Sequence, residues 1–173
     1  MIVDLETRLW TRTDDLGDEL AAAVRRGAAS RWLQTDASPE AFSTAVRSVD
    51  AAVVVGYRNL LGKGAIAEST LLEQVARSGG RLFYARAIDP MATDASTLVE
   101  SARKDGASAI WLDPALQGFH PADTRAMRVF DRAEANQLPV LIGWSGPAPA
   151  SARLEYARPY LLDEAARAFP RLS

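Results

Sequence analysis

Five short apolar runs, separated by longer segments of helical period, constrain the fold of this chain more than any other feature. The runs consist mainly of Val, Ile, Leu, Ala and aromatic residues, which is typical of strands buried on both faces of a parallel sheet. They cover residues 2–5, 51–56, 82–88, 108–112 and 139–142. Strands that alternate with helices in this way predict an α/β fold with a parallel sheet.

The segments between these runs carry recognisable helix boundaries. Ser38 precedes Pro39, so a capped helix is expected from there to Val46. Gly79-Gly80 is a good helix end. An amphipathic stretch at residues 14–27 predicts an extra segment, inserted between the first strand and the helix that pairs with it in the strand–helix unit. The other predicted helices cover residues 66–78, 93–104, 122–136 and 159–169.

Composition limits the classes of function. The 173 residues predict a single domain, residues 1–173, with enough apolar mass (48%) for a core. The chain has twenty basic and twenty-two acidic residues, so it lacks the excess of positive charge that binding to nucleic acid or an anionic membrane requires. The longest apolar run falls far short of the roughly 20 residues that a membrane span needs, and the acidic start lacks a signal-peptide head. A cytoplasmic protein is expected.

Several ordered blocks resemble one known family. The opening ten residues, Met-Ile-Val-Asp-Leu-Glu-Thr-Arg-Leu-Trp, are similar to the start of the amidohydrolase-related family. That family contains aminocarboxymuconate-semialdehyde decarboxylase and similar metal-dependent TIM-barrel hydrolases. The later blocks are residues 57–59 (Tyr-Arg-Asn), 81–90 (Arg-Leu-Phe-Tyr-Ala-Arg-Ala-Ile-Asp-Pro), 106–114 (Gly-Ala-Ser-Ala-Ile-Trp-Leu-Asp-Pro), 117–121 (Gln-Gly-Phe-His-Pro), 138–142 (Leu-Pro-Val-Leu-Ile), 157–163 (Ala-Arg-Pro-Tyr-Leu-Leu-Asp) and 169–170 (Phe-Pro).

The resemblance implies a (β/α)8 barrel with its active site at the carboxyl ends of the strands. Eight units need about 250 residues, so this chain supplies about five. We therefore expect a partial, TIM-like barrel, a truncated form with about five parallel strands and flanking helices.

The family's metal ligands are replaced at every position that can be matched. The resemblance places its first two histidines on Glu6 and Arg8 and the histidine after the fifth strand on Gly143, while an aspartate after the eighth strand has no counterpart. Family members use zinc or another divalent ion. Arginine has no lone pair to donate and glycine has no side chain. The chain has no cysteine and only one histidine, so we expect no metal and no cofactor.

Three polar residues are weak catalytic candidates: Glu6, Asp113 and His120. Glu6 and Arg8 are two apart and share a face of the first strand. Arg8 either binds a carboxylate or phosphate ligand or neutralises Asp4, Glu6 or Asp113, and the cost of burying carboxylates favours the second role. Asp113 is either a general base or, more often at such a position, a turn or helix-cap residue. Histidine is the residue type whose unperturbed pKa lies nearest neutral pH, but His120 has no histidine or cysteine partner in the sequence.

The remaining candidates are aromatic or lie in loops. Trp10 and Trp144 are expected at strand ends, where they fill the barrel mouth or stack on a ligand. Ser145 is interpreted as a turn serine, because its surroundings lack the spacing of a nucleophile elbow. Residues 62–64 (Gly-Lys-Gly) are interpreted as a flexible loop and not as a phosphate loop.

A five-stranded sheet with two open edges predicts association. We expect a homo-oligomer, or pairing with a related full-length barrel, through the open edge and the helix at 159–169. Alternatively residues 14–37, with Trp32 and Leu33, cover the edge of a monomer.

The function favoured by the sequence is that of a degenerate amidohydrolase-like protein, a pseudoenzyme that acts as a non-catalytic binding or partner subunit. The alternative is a metal-dependent hydrolase or decarboxylase for a small carboxylated, amide or lactone substrate, with a partner chain completing the site. A third alternative is a decaying fragment without a selected role, which would be insoluble or molten.

Overall fold

The computed structural model describes residues 1–29, 36–143 and 148–173. Its strands are β1 (Val3–Thr7), β2 (Ala51–Val55), β3 (Arg58–Asn59), β4 (Gly64–Ala65), β5 (Leu82–Ala87), β6 (Ala109–Leu112) and β7 (Val140–Ile142). The five predicted strands correspond to β1, β2, β5, β6 and β7, and every predicted end lies within two residues of the observed one.

These five strands form one parallel sheet in the order β1-β2-β5-β6-β7. Sheet neighbours follow each other along the chain, and helices or helical turns join them. This succession of parallel strand and helix is the construction of a TIM barrel. The chain forms a partial barrel, as predicted from the sequence.

The helices lie on the outer side of the sheet. They are α1 (Asp18–Ala29), α2 (Pro39–Ala45), α3 (Glu68–Arg77), α4 (Ala95–Ser101), α5 (Pro114–Gln117), α6 (Thr124–Ala135) and α7 (Asp163–Ala168), with 3-10 turns at Thr13–Leu16, Val46–Ser48, Leu154–Ala157 and Pro159–Leu162. The hydroxyl of Ser38 accepts a hydrogen bond from the Ala41 N–H, which confirms the predicted cap of α2.

Two local predictions need correction. The single helix predicted at residues 159–169 is a 3-10 turn followed by the short helix α7. The segment predicted as a flexible loop at residues 62–64 belongs to a small antiparallel hairpin, in which β3 pairs with β4. The side-chain oxygen of Asn59 accepts a hydrogen bond from the Gly62 N–H and so closes this hairpin.

The core has two layers, one on each face of the sheet. The larger layer packs the outer faces of the strands, including Tyr84 and Ile110, against the helices. The smaller layer covers the inner face and consists of Val55, Ala85, Ala87, Ala109 and Trp111, with Val53 and Leu141 packed against it. The inner layer is thin. Residues nearer the amino ends of the strands on the same face, such as Phe83, are open to solvent.

In the described ranges, no helix is long enough and apolar enough to cross a membrane. The predicted single domain and the cytoplasmic location stay predictions.

Candidate functional site

The carboxyl ends of β1 and β6 bring together four side chains, which we call the mouth cluster: Glu6, Arg8, Trp111 and Asp113. Arg8 Nη2 lies 3.0 Å from Glu6 Oε1 and 3.9 Å from Asp113 Oδ2. Arg8 Nε also donates to Glu6 Oε1, at 3.2 Å. The guanidinium carbon lies 5.5 Å from the centroid of the Trp111 ring, which allows a cation–π contact. One guanidinium is thus held by two carboxylates and an indole.

Asp113 is positioned by the start of α5. Its Oδ1 accepts a hydrogen bond from the Leu116 N–H at 3.1 Å, and Pro114 occupies the first position of the helix. This is the N-cap arrangement, so the helix-cap interpretation of Asp113 is confirmed. Gln117 accepts a hydrogen bond from the Asp113 N–H at 2.9 Å, which fixes the backbone at the same point.

The second oxygen of Asp113 has no hydrogen-bond partner in the described part of the chain. The residue is 3% exposed. Burial raises the pKa of the Asp113 carboxyl to about 6, although the Leu116 N–H and Arg8 both lower it and Glu6 raises it slightly. A carboxyl with this pKa gains or loses its proton near neutral pH.

A buried polar network that the sequence did not predict supports the cluster. Gln117 Nε2 donates to the carbonyls of Arg58 and Ile88, at 2.9 and 2.8 Å. Asn59 Nδ2 donates to the Leu116 carbonyl at 2.8 Å. The carboxylate of Asp89 accepts hydrogen bonds from two backbone N–H groups of the loops that follow β3 and β5. Position in the sequence was the available signal, because Asn59 and Asp89 lie shortly after the apolar strands β2 and β5.

Trp10 lies apart from the indole of the mouth cluster. It is nearly buried in the outer core, and its backbone N–H donates to the Ala37 carbonyl at 3.1 Å. Together with Glu6 and Arg8 it lines a cavity of about 900 Å³ between β1, α1 and α2. The apolar wall of this cavity includes Leu20 and Phe42. Two residues predicted to bind a ligand, Arg8 and Trp10, therefore face one cavity.

His120 has different neighbours. Its Nδ1 accepts a hydrogen bond from the Ala122 N–H at 3.1 Å, and its ring meets the edge of Tyr156 at 5.5 Å between centroids. These contacts assign the proton of the neutral ring to Nε2. Trp144 and Ser145, and likewise Trp32 and Leu33, lie outside the described residues.

Comparison with known proteins gives a result for structure only. No protein-family model and no curated protein matches the sequence. Among solved structures, an uncharacterised TIM-barrel protein from Bordetella bronchiseptica matches with a TM-score of 0.70 at 18% identity, over 99% of this chain and 64% of that one. The 5-carboxyvanillate decarboxylase LigW from Sphingomonas paucimobilis matches with a TM-score of 0.64 at 14% identity, over 99% of this chain and 65% of that one.

A protein described as an amidohydrolase II also matches, with a TM-score of 0.64 at 14% identity over the whole of this chain and 65% of that one. The chain has the fold of the amidohydrolase TIM barrels. It spans about 65% of the length of these neighbours. The resemblance predicted from the sequence is thus confirmed at the level of fold.

The amidohydrolase fold raises the question of a divalent ion, and the donors at the mouth cluster do not fit one. In residues 1–29, 36–143 and 148–173, no group of three or more His, Cys, Asp or Glu side chains is placed to hold a metal. Glu6 and Asp113 are suitable oxygen ligands, but Arg8 between them is a permanent cation. At Gly143, an added Cβ would lie 2.7 Å from Trp111 Cζ2 and closer still to Cη2, so a ligating side chain has no room there.

Proposed function

We propose that this chain is a non-catalytic binding or partner protein built on the amidohydrolase fold, and that its inner sheet face is covered by a second polypeptide. The observation that carries the proposal is the exposure of apolar side chains on that face. Phe83 is 44% exposed and Val3 is 42% exposed. A closed barrel fills the same space with layers of packed side chains.

The register of the sheet supports this assignment of faces. Phe83 pairs with Val53 and is two residues from Ala85, both of which belong to the inner layer. Val3 pairs with Ala51, which is two residues before Val53 on β2. Because side chains alternate along a strand, Phe83 and Val3 share the inner face. Their exposed area favours association with an apolar partner surface.

The chemistry of the mouth cluster supports a role without metal catalysis. Arg8 is held by its ion pair with Glu6 and by its contact with the Trp111 ring. The same ring leaves no room for a metal-ligating side chain at position 143. The cavity between β1, α1 and α2 supports a binding role, because its apolar wall and the Arg8–Glu6 pair suit a small molecule with one polar end.

The partner that we propose is a second copy of this chain, and light scattering on a size-exclusion column tests it. We expect a dimer or larger assembly at micromolar concentration. The variant Phe83→Thr keeps strand propensity but removes apolar area from the inner face, so it should shift the equilibrium toward monomer. Leu154→Thr is the matched control, because Leu154 is 49% exposed in a 3-10 turn away from the sheet.

A strictly monomeric wild-type chain would contradict this proposal. If that monomer instead bound a related full-length barrel, the partner of the inner face would be that barrel and not a second copy of the chain. Equal behaviour of the Phe83 and Leu154 variants would show that the interface lies elsewhere.

A second candidate function is a metal-dependent hydrolase or decarboxylase whose site a partner chain completes. Asp113 favours it, because a buried carboxyl with one unpartnered oxygen and a raised pKa is suited to proton transfer. The matching structures include a dihydroxybenzoic acid decarboxylase with bound manganese, at a TM-score of 0.59 and 15% identity. Metal analysis of the assembled protein decides between the two. One bound ion per chain, with an activity that a chelator removes, would establish the enzyme.

A further inference from the structure

We infer that Arg8 and Trp111 together form a built-in replacement for a metal ion at the mouth cluster. The guanidinium supplies the positive charge between Glu6 and Asp113, and the indole supplies the volume beside Gly143. This inference concerns the mouth cluster alone and does not depend on the partner proposed for the inner face.

The first observation is the charge arrangement. Glu6 lies on β1 and Asp113 follows β6, and the strands β2 and β5 lie between these two in the sheet. Arg8 reaches both, at 3.0 Å to Glu6 Oε1 and 3.9 Å to Asp113 Oδ2. Two carboxylates brought this close repel each other unless a cation lies between them. In a metal site of this kind a divalent ion is that cation, and here the guanidinium takes its place.

The second observation is steric and independent of charge. Trp111 points from β6 across the inner face to the backbone of Gly143, where any Cβ would overlap its ring. The same ring lies 5.5 Å from the Arg8 guanidinium carbon. The Trp111 indole thus leaves no room for a metal-ligating side chain at position 143, after β7. It also supports Arg8, the cation that takes the place of the metal ion. The two replacements are physically coupled.

The third observation is the unpartnered oxygen of Asp113. In the described ranges Oδ2 is buried and accepts no hydrogen bond, although Arg8 lies within ion-pair distance. An oxygen of this kind is available as a metal ligand if the cation beside it is removed. The guanidinium is therefore the charge that keeps a divalent ion from these two carboxylates, which are otherwise suitable ligands.

A titration with Mn²⁺, followed by thermal unfolding and by metal analysis after desalting, tests this inference. The wild-type chain should retain no stoichiometric Mn²⁺ and show no rise in Tm. Arg8→Ala should gain Mn²⁺ binding, with a rise in Tm of about 5 °C when Mn²⁺ is about 100-fold above its dissociation constant. The double variant Arg8→Ala with Glu6→Gln should lose that gain.

Arg8→Lys is the matched control. It keeps the positive charge, so it should resemble the wild type in the Mn²⁺ titration even if its stability falls. Tight stoichiometric Mn²⁺ in the wild-type chain would overturn the inference, and so would an Arg8→Ala protein that folds but gains no response to Mn²⁺. If Arg8→Ala does not fold, Arg8→Gln provides the neutral variant, and the same two outcomes apply to it.

Discussion

The ring of Trp111 lies against the backbone of Gly143, in the volume that a side chain at position 143 would occupy. The two residues face each other on neighbouring strand ends, where Trp111 pairs with Leu141 and Gly143 follows β7. An added Cβ would meet three ring atoms, with Cζ3 the farthest at 3.0 Å. The glycine is therefore required by packing.

Gly143→Ala should destabilise the protein by about 1–3 kcal/mol, because the ring or the strand must move to admit the methyl group. Chemical denaturation measures this free energy. In a Trp111→Ala background the same substitution should cost much less, and the difference is the coupling between the two positions. An equal cost in both backgrounds would show that the ring is not the obstacle.

Asp113→Asn should change the pH dependence of stability. The pKa of Asp113 is raised from 3.8 to about 6 in the folded chain, so between these pH values unfolding releases a proton. Stability then falls as pH rises through this window. The asparagine variant lacks this dependence and should be more stable than the wild type above pH 6, by roughly 2–3 kcal/mol, with no gain below pH 4.

Urea denaturation at several pH values measures this difference. Asp113→Ala is the control, because it removes the helix cap as well as the charge. It should lie about 1 kcal/mol below the asparagine variant at every pH. A constant difference between wild type and Asp113→Asn from pH 4 to pH 7 would mean that the carboxyl is not perturbed.

Gln117→Ala should destabilise the protein by about 3 kcal/mol or more, because it leaves several buried backbone groups without partners. The amide of Gln117 bonds the Asp113 N–H and the carbonyls of Arg58 and Ile88. Asn136→Ala is the matched amide control, since that side chain is half-buried and makes one solvent-exposed hydrogen bond, to the Arg132 carbonyl. Similar losses for both variants would contradict the role of the network.

Arg86→Lys should cost about 2 kcal/mol although it preserves the charge. The Arg86 guanidinium is buried, donates to both oxygens of Glu68 at 2.9 and 2.5 Å, and also reaches Asp105 at 2.9 Å. A lysine ammonium cannot make this fork of bonds. Arg125→Lys, in an exposed pair with Asp123, should change stability by less than about 1 kcal/mol when both are measured by thermal unfolding.

The five parallel strands were predictable because each is a short apolar run of buried-strand composition between helix signals. Residues 51–55, for example, read Ala-Ala-Val-Val-Val and contain no polar group. The hairpin of β3 and β4 was not predictable, because it has two residues in each strand and is held by Asn59 and by Tyr57 rather than by a periodic pattern. The Asn59 side chain also donates to the carbonyl of Leu116, 57 residues away, so the hairpin depends in part on a contact distant in sequence.

The sequence by itself determined which chemistry each position offers: a permanent cation at Arg8, carboxylates at Glu6 and Asp113, and no side chain at Gly143. Only the tertiary structure decided that these groups meet, and that the Trp111 ring fills the space beside Gly143 and supports Arg8. The reason is geometric. Residues 8, 111 and 143 lie far apart along the chain, and only the closing of strands into one curved parallel sheet brings their ends to a common edge.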